Sequence, residues 1–417
     1  MNEQDSPKRP TKYIVVLGGS YAGASTAHYI LKHVIPSLPT KNEYNVILIS
    51  ASTHALCRPA TPRALISDDF FAQDKLFVPL SQAFDSYTNF RLIHGTATKL
   101  DHENRKVTVN VLVQDVVQTE EIVDFHALVI ATGASTASPL LGFSNGGGVE
   151  NLRASWDDFR KALSNARRIV IVGGGPAGVE TAGELGEFLN GRPGWFCKTS
   201  PPKVEITIIT AGSRVLPILR DSLAAKAEYY LSLVGVKILK DTRVISVSPV
   251  GAGTVNVATK ATITLQDGTT LDTDLYIPAT GLEPNTSFID PTLLSPTGHV
   301  DTNSSTLRVD KAGPRIYAIG DVASYARPAV HLTLEAVPVL CANLKRDLGG
   351  ENAAKEDRIF KEDTRETQLV PIGKSYGVGA AMGYQLPSWL VWAIKGRDYW
   401  LWTTGGLWSG KQWAKES

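Results

Sequence analysis

The chain has 417 residues, 42 basic and 41 acidic side chains, and 43% hydrophobic residues. This length is too great for one core and argues for two or three domains. The composition is that of an ordinary globular protein, and a net charge of +1 gives no general electrostatic case for binding nucleic acid.

Residues 1–11 are polar, lack the apolar core of a secretory signal, and read as a disordered tail. No uninterrupted apolar run is long enough to span a bilayer. Three cysteines, Cys57, Cys197 and Cys341, form no CxxC pair, which suits a reducing compartment. No metal-ligand cluster stands out, and none is expected.

Tyr13 to Ile30 reads YIVVLGGSYAGASTAHYI: a strand, then the turn Gly18, Gly19, Ser20, Tyr21, Ala22, Gly23, then a helix start. In a dinucleotide fold the first glycine makes the tight turn, the middle one admits the pyrophosphate, and the last lets helix pack on strand. Ser20 replaces the middle glycine. Val34 to Glu43 reads as a loop and Tyr44 to Ser50 as the next strand, whose end normally carries an acid for the ribose. Ser50 stands there and could make a weaker, uncharged hydrogen bond. Arg58 and Arg63 follow in a loop and helix with His54 and Cys57, and either arginine could neutralise a diphosphate or simply be solvated.

Phe90 to Asp101 is a strand, Lys106 to Val117 and Glu120 to Val123 a hairpin, and ALVIATG, ending in Thr132 and Gly133, closes the first half. Asn145 to Gly148 looks like a linker, followed by one helix. The second copy of the motif is IVIVGGGPAGVETAGEL, with Gly173, Gly174, Gly175, Pro176, Ala177, Gly178 and Glu180. Two such turns in one chain argue for two nucleotides, usually a flavin and a nicotinamide.

Strand Val204 to Thr210 is followed by Ala211, Gly212, Ser213 and Arg214, with no acid to repel a 2′-phosphate, so NADPH is expected to be accepted and Arg214 or Ser213 to meet it. LYIPATGLEPN repeats ATG at Gly281. RIYAIGD ends in Gly320 and Asp321, the latter a candidate for a flavin ribityl or diphosphate contact. Pro328 to Asp347 reads as a helix on which His331 and Glu335 either line an acceptor pocket or lie on the surface. Gly349 to Thr367 reads as an exposed connection.

These motifs, in this order, resemble two-dinucleotide flavoprotein reductases related to apoptosis-inducing factor and type II NADH dehydrogenases. The tail GKSYGVGAAMGYQLPSWLVWAIKGRDYW resembles that of the ferroptosis-suppressor branch. The resemblance implies an α/β fold: two Rossmann-like domains of pyridine nucleotide-disulfide reductase type, without the redox CxxxxC, plus a small C-terminal α+β unit. FAD is implied for 12–150 and 286–347, NAD(P)H for 151–285, and the C-terminal unit for 348–417. It further implies that Gly18 to Gly23 hold the FAD diphosphate, Arg63 touches the flavin, Ala97 meets the adenine, Asp321 is the aspartate of the family's GD motif, and Gly173 to Gly178 hold the nicotinamide nucleotide. Glu180 is placed near the nicotinamide and flavin rings, although an acid there could also simply complement the helix dipole.

The function implied is transfer of hydride from NAD(P)H to flavin N5 and of electrons onward to a quinone-like acceptor. One alternative is a peroxide or disulfide reductase using Cys57, against which Arg58 stands where that family has glycine. Another is an NAD(P)H-gated binding protein. Asn2 is not the glycine that N-myristoylation requires. Trp389, Trp392, Trp400, Trp402, Trp408 and Trp413, interleaved with Lys395, Arg397, Lys411 and Lys415, suit either a membrane interface or an aromatic core. The setting expected is cytoplasmic, whether free or peripheral on a membrane or mitochondrion.

Overall fold

The computed structural model describes residues 11–113, 116–143, 147–192, 201–349 and 356–416. The expected tail apart from residue 11, positions 145 and 146 of the expected linker, Cys197 and part of the connection after Gly349 lie outside the described residues.

Short runs of Val, Ile and Leu that are apolar on both faces form parallel strands covered on both sides. The first sheet has seven strands in the order 316–318, 127–130, 12–17, 44–50, 90–101, 106–113, 116–124. Its first five strands are parallel and the last two antiparallel. The second sheet has four parallel strands in the order 236–239, 205–209, 168–172, 275–278. A three-stranded antiparallel sheet, 244–248, 261–265 and 270–273, packs Ile263 and Leu265 into a small core with Val170, Val172 and Tyr276. Strand Ile316–Ala318 rejoins the first sheet after the second is complete, so the chain leaves the first sheet and comes back to it.

The hairpin differs in detail from its expected boundaries. Its first strand ends at Val113 and its second begins at Val116, and the two residues between lie outside the described ones. The expected 34–43 loop contains single 3₁₀ turns at Ile35–Ser37 and Lys41–Glu43. Gly148 begins helix Val149–Leu163, whose Val149, Leu152, Trp156, Phe159 and Leu163 form one buried stripe at three- and four-residue spacing.

The C-terminal segment has an antiparallel sheet, Gln368–Ile372, Tyr376–Ala381 and Tyr384–Gln385, followed by helical turns over 388–396 and helix Leu401–Trp408. It is divided between the two large cores. Val370, Ile372, Val378 and Tyr399 belong to the core around the second sheet, while Leu407, Trp408 and Trp413 belong to the core around the first. Gly183 permits the first of these contacts, because a Cβ there would come within 2.9 Å of Ile372 Cγ2. Among the described residues no helix is long and apolar enough to cross a membrane.

Candidate active site

The two glycine turns are near copies of each other. Gly18 and Gly173 have φ of 111° and 131°, and a Cβ on either would overlap the carbonyl of Ala131 or Ala279, the residue that begins each ATG. Each ATG therefore closes under the turn of its own sheet. The last glycines, Gly23 and Gly178, would overlap the carbonyls of Gly18 and Gly173.

Helix Tyr21–Tyr29 begins after Ser20, and helix Pro176–Asn190 after Gly175. Neither N-cap side chain makes a capping bond, and neither first turn carries an acid. Both helix starts thus leave backbone N–H groups free for an anion. Ser20 is exposed, and a Cβ on Gly133, Gly175 or Gly281 would meet nothing within 4 Å. These observations fit two bound dinucleotide diphosphates.

Ser50 lies beneath the first turn. A Cβ on Gly19 would stand 2.6 Å from Ser50 Oγ, and one on Gly174 2.6 Å from Thr210 Oγ1. Ser50 Oγ also donates to the Ser52 carbonyl at 2.7 Å. The strand-end hydroxyl thus lies against the turn from beneath, with its proton given to the Ser52 carbonyl. Ala97 lies half-buried in strand Phe90–Asp101 beside a break in register.

Arg58 and Asp321 come together. Burial holds the Asp321 carboxyl above its ordinary value while the Arg58 charge pulls it down. Arg58 donates to the carbonyls of Ala134 at 2.9 Å and Leu141 at 3.3 Å. Gly320, at φ 80°, places Asp321 against the first helix, since a Cβ on it would stand 3.0 Å from that of Ala22. Thr132 Oγ1 donates to the Asn285 carbonyl, and Asn285 Nδ2 to the Thr132 carbonyl, each at 2.9 Å, which ties the first ATG to the segment after the second.

Arg63 has protein partners. Its Nε and Nη2 donate to Glu184 Oε2 and Oε1 at 2.9 and 2.8 Å, and its guanidinium lies 4.8 Å from the centre of the Tyr399 ring. Its fork is closed on a carboxylate. Four residues before Glu184, on the same face of helix Pro176–Asn190, Glu180 Oε1 accepts from Lys395 Nζ at 2.5 Å. Lys395 also donates to the Leu369 carbonyl at 3.1 Å, and Tyr399 Oη donates to Glu184 Oε1 at 2.9 Å.

The relative exposures of Arg63, Glu180, Glu184 and Lys395 are 5%, 3%, 3% and 6%. So complete a burial of four charges is sustained only because each is paired. Burial raises the Glu180 carboxyl from 4.5 to about 7 in spite of Lys395.

Lys395, Glu184 and Tyr399 were not singled out as site residues in the sequence. One signal was present: two glutamates four apart on an otherwise buried, small-residue helix face, VETAGEL, which must find buried cations. Among the described residues the buried Gln368 Oε1, Asp398 Oδ1 and His331 Nε2 have no hydrogen-bond partner. Glu335 is exposed.

Arg214 donates to the Pro217 carbonyl at 3.1 Å and is ion-paired with Asp221. Cys57 is fully buried, 3.5 Å from Tyr21 Oη, and burial pushes its thiol up to about 11. The tryptophans divide between the two readings of the tail. Trp408 and Trp413 pack on Tyr21 and Tyr29, whereas Trp389, Trp392 and Trp402 are 67%, 40% and 58% exposed.

Residues 12–339 match the family model described as pyridine nucleotide-disulphide oxidoreductase. The chain is 60% identical over 412 residues to the oxidoreductase phnG of Penicillium herquei, covering 97% of each. It is 26% identical over 409 residues to ferroptosis suppressor protein 1 of Mus musculus, covering 95% of this chain and 96% of that one. The fold is like that of NDH2 from Plasmodium falciparum, solved with NADH, at a TM-score of 0.65, 15% identity and coverage of 98% and 99%. Two duplicated phosphate turns and a match spanning most of the chain lead to one conclusion: the protein belongs to the pyridine nucleotide-disulphide oxidoreductases, as an FAD- and NAD(P)H-dependent oxidoreductase of the apoptosis-inducing-factor type.

Proposed function

We propose that the protein passes electrons from NAD(P)H to a quinone-type acceptor that enters beside the C-terminal segment. In this reading residues 12–150 and 286–347 hold FAD, 151–285 hold NAD(P)H, and 348–417 cover the junction. The turn Gly18–Gly23, Arg58 and Asp321 would hold the flavin's diphosphate and ribityl chain, and the turn Gly173–Gly178 the nicotinamide nucleotide. Bound FAD supplies the two-electron carrier between donor and acceptor.

The observation that carries the reading is the buried Glu180–Lys395 pair. Reduction of a quinone to a quinol consumes two protons with its two electrons. A carboxyl raised to about 7 can hold or release a proton at neutral pH. Lys395 fixes Glu180 Oε1, while Arg63 and Tyr399 fix the neighbouring Glu184 and keep the helix face in place. The tail sheet and Tyr399 close over this face and exclude water from it. Exposed Trp389, Trp392 and Trp402 would rest at a lipid interface, where a lipophilic acceptor is found. Cys57 is a poor nucleophile, being buried with a raised pKa.

The test is anaerobic stopped-flow of the flavin-loaded protein with NADPH or NADH, followed by mixing with a short-chain ubiquinone. Fast bleaching and fast reoxidation are expected. Fast bleaching with sluggish reoxidation would eliminate the quinone, and no bleaching would favour the NAD(P)H-gated binding protein. Flotation with anionic vesicles checks the lipid contact: the wild type should float, and the Trp389→Ala, Trp392→Ala, Trp402→Ala triple variant should not.

Gly23→Ala would drive a Cβ into the Gly18 carbonyl and open the first turn. It should weaken FAD retention at least tenfold, about 1.4 kcal/mol, read as a fallen flavin-to-protein absorbance ratio. Full flavin occupancy would show that the turn does not hold the diphosphate.

A further inference from the structure

We propose that Arg243, and not Arg214, reads the 2′-phosphate that distinguishes NADPH from NADH. The proposal rests on the NAD(P)H reading of the second glycine turn and names the residue that sets its nucleotide preference.

In a dinucleotide fold the adenosine ribose lies beyond the end of the second strand, which here is Glu205–Ile209. A cleft of about 180 Å³ opens there, lined by Gly173, Ile209, Ala211, Thr242, Arg243 and Thr280 among others, with no acidic side chain in its lining. Arg243 is brought to this place by backbone bonds. Thr210 N donates to the Leu239 carbonyl at 2.9 Å, Asp241 N to the Gly212 carbonyl at 3.0 Å, and Thr242 N to the Thr210 carbonyl at 3.0 Å. The segment 239–242 is thus laced to the strand end. Asp241 makes its turn at φ 52°, and Gln266 N holds the Arg243 carbonyl at 2.9 Å. The backbone at 243 is fixed, while its exposed guanidinium engages no acceptor among the described residues.

Arg214 is placed differently. It does not line the cleft, and its guanidinium is folded back onto the Pro217 carbonyl and Asp221. Recruiting it would break those contacts first. A phosphate monoester offers a guanidinium two charge-assisted bonds, whereas a ribose hydroxyl offers only a neutral one. An unpaired arginine on a fixed backbone beside the ribose site therefore favours the phosphorylated cofactor.

The experiment measures binding of 2′,5′-ADP and 5′-AMP to the flavin-loaded protein by calorimetry, for the wild type, Arg243→Ala and Arg214→Ala. Both arginines are at the surface, so both variants should fold. The wild type should bind 2′,5′-ADP about tenfold more tightly than 5′-AMP. Arg243→Ala should abolish that ratio with little change in 5′-AMP affinity, and Arg214→Ala should keep it within about twofold. A ratio that survives Arg243→Ala, or that is lost in Arg214→Ala, overturns the assignment. So does a wild type without preference whose flavin is still bleached by NADH, in which case the NAD(P)H reading stands. A wild type that binds neither probe and is bleached by neither nicotinamide removes both.

Discussion

Glu180→Gln is expected to lower kcat for quinone reduction about 100-fold, the low end of what a positioned acid or base contributes, and to flatten the pH profile around neutrality. The cause is the carboxyl that burial raises to about 7. Below that pH it carries a proton, and above it the Lys395 charge is fully matched. Lys395→Met should act in the opposite sense on the profile. Without the cation 2.5 Å from Oε1, the carboxyl loses the charge that holds its pKa down, and the inflection moves to higher pH. Steady-state kcat across the neutral range for the three proteins checks this, and an inflection unchanged in Glu180→Gln would assign the titration to another group.

The same group makes a statement about stability. Its folded pKa lies above its unfolded value of 4.5, so its contribution is full below about pH 4.5 and is lost as pH rises through about 7. Urea unfolding midpoints should fall over that window in the wild type, and less so in Glu180→Gln.

Arg63→Met is expected to destabilise the fold by about 3–5 kcal/mol, the cost of leaving a buried charge without its partner. Glu184 is 3% exposed, and in this variant its remaining hydrogen-bond partner among the described residues is the Tyr399 hydroxyl. The double variant Arg63→Met, Glu184→Met should recover most of the loss, because an apolar pair of similar volume replaces a costly ionic one. Chemical unfolding of the three proteins decides the matter. Additive losses in the double variant would show that the pair is not a closed unit.

The parts of the molecule legible in the sequence are those whose chemistry is local. Gly18 and Gly173 stand out because a turn under a neighbouring carbonyl tolerates no side chain, and the repeated ATG stands out because each copy closes its own sheet. Arg58 and Asp321, both singled out in the sequence, do come together. Partners that lie far apart along the chain are not legible in this way. Arg63, expected at the flavin, forks onto Glu184, 121 positions on. Lys395 and Tyr399 each lie 215 positions from their glutamates. Only a requirement was visible, namely two acids on an apolar helix face, and not the segment that meets it. Ser50 and Arg214 stand where a ribose ligand usually does, and the structure adds local bonds to Ser52 and to Pro217 and Asp221 that the sequence does not show.

The division of the tail between two cores also bears on biosynthesis. A chain made from its N-terminus can lay down both sheets early, but Val370, Ile372 and Val378 for one core, and Trp408 and Trp413 for the other, emerge only after both sheets. Until translation reaches them, both halves expose the apolar surface on which they will sit, and Glu180 and Glu184 await Lys395 and Tyr399. Chains that still lack this segment are in this way set apart from those that have it, open to chaperones and proteases at the surface the segment will cover.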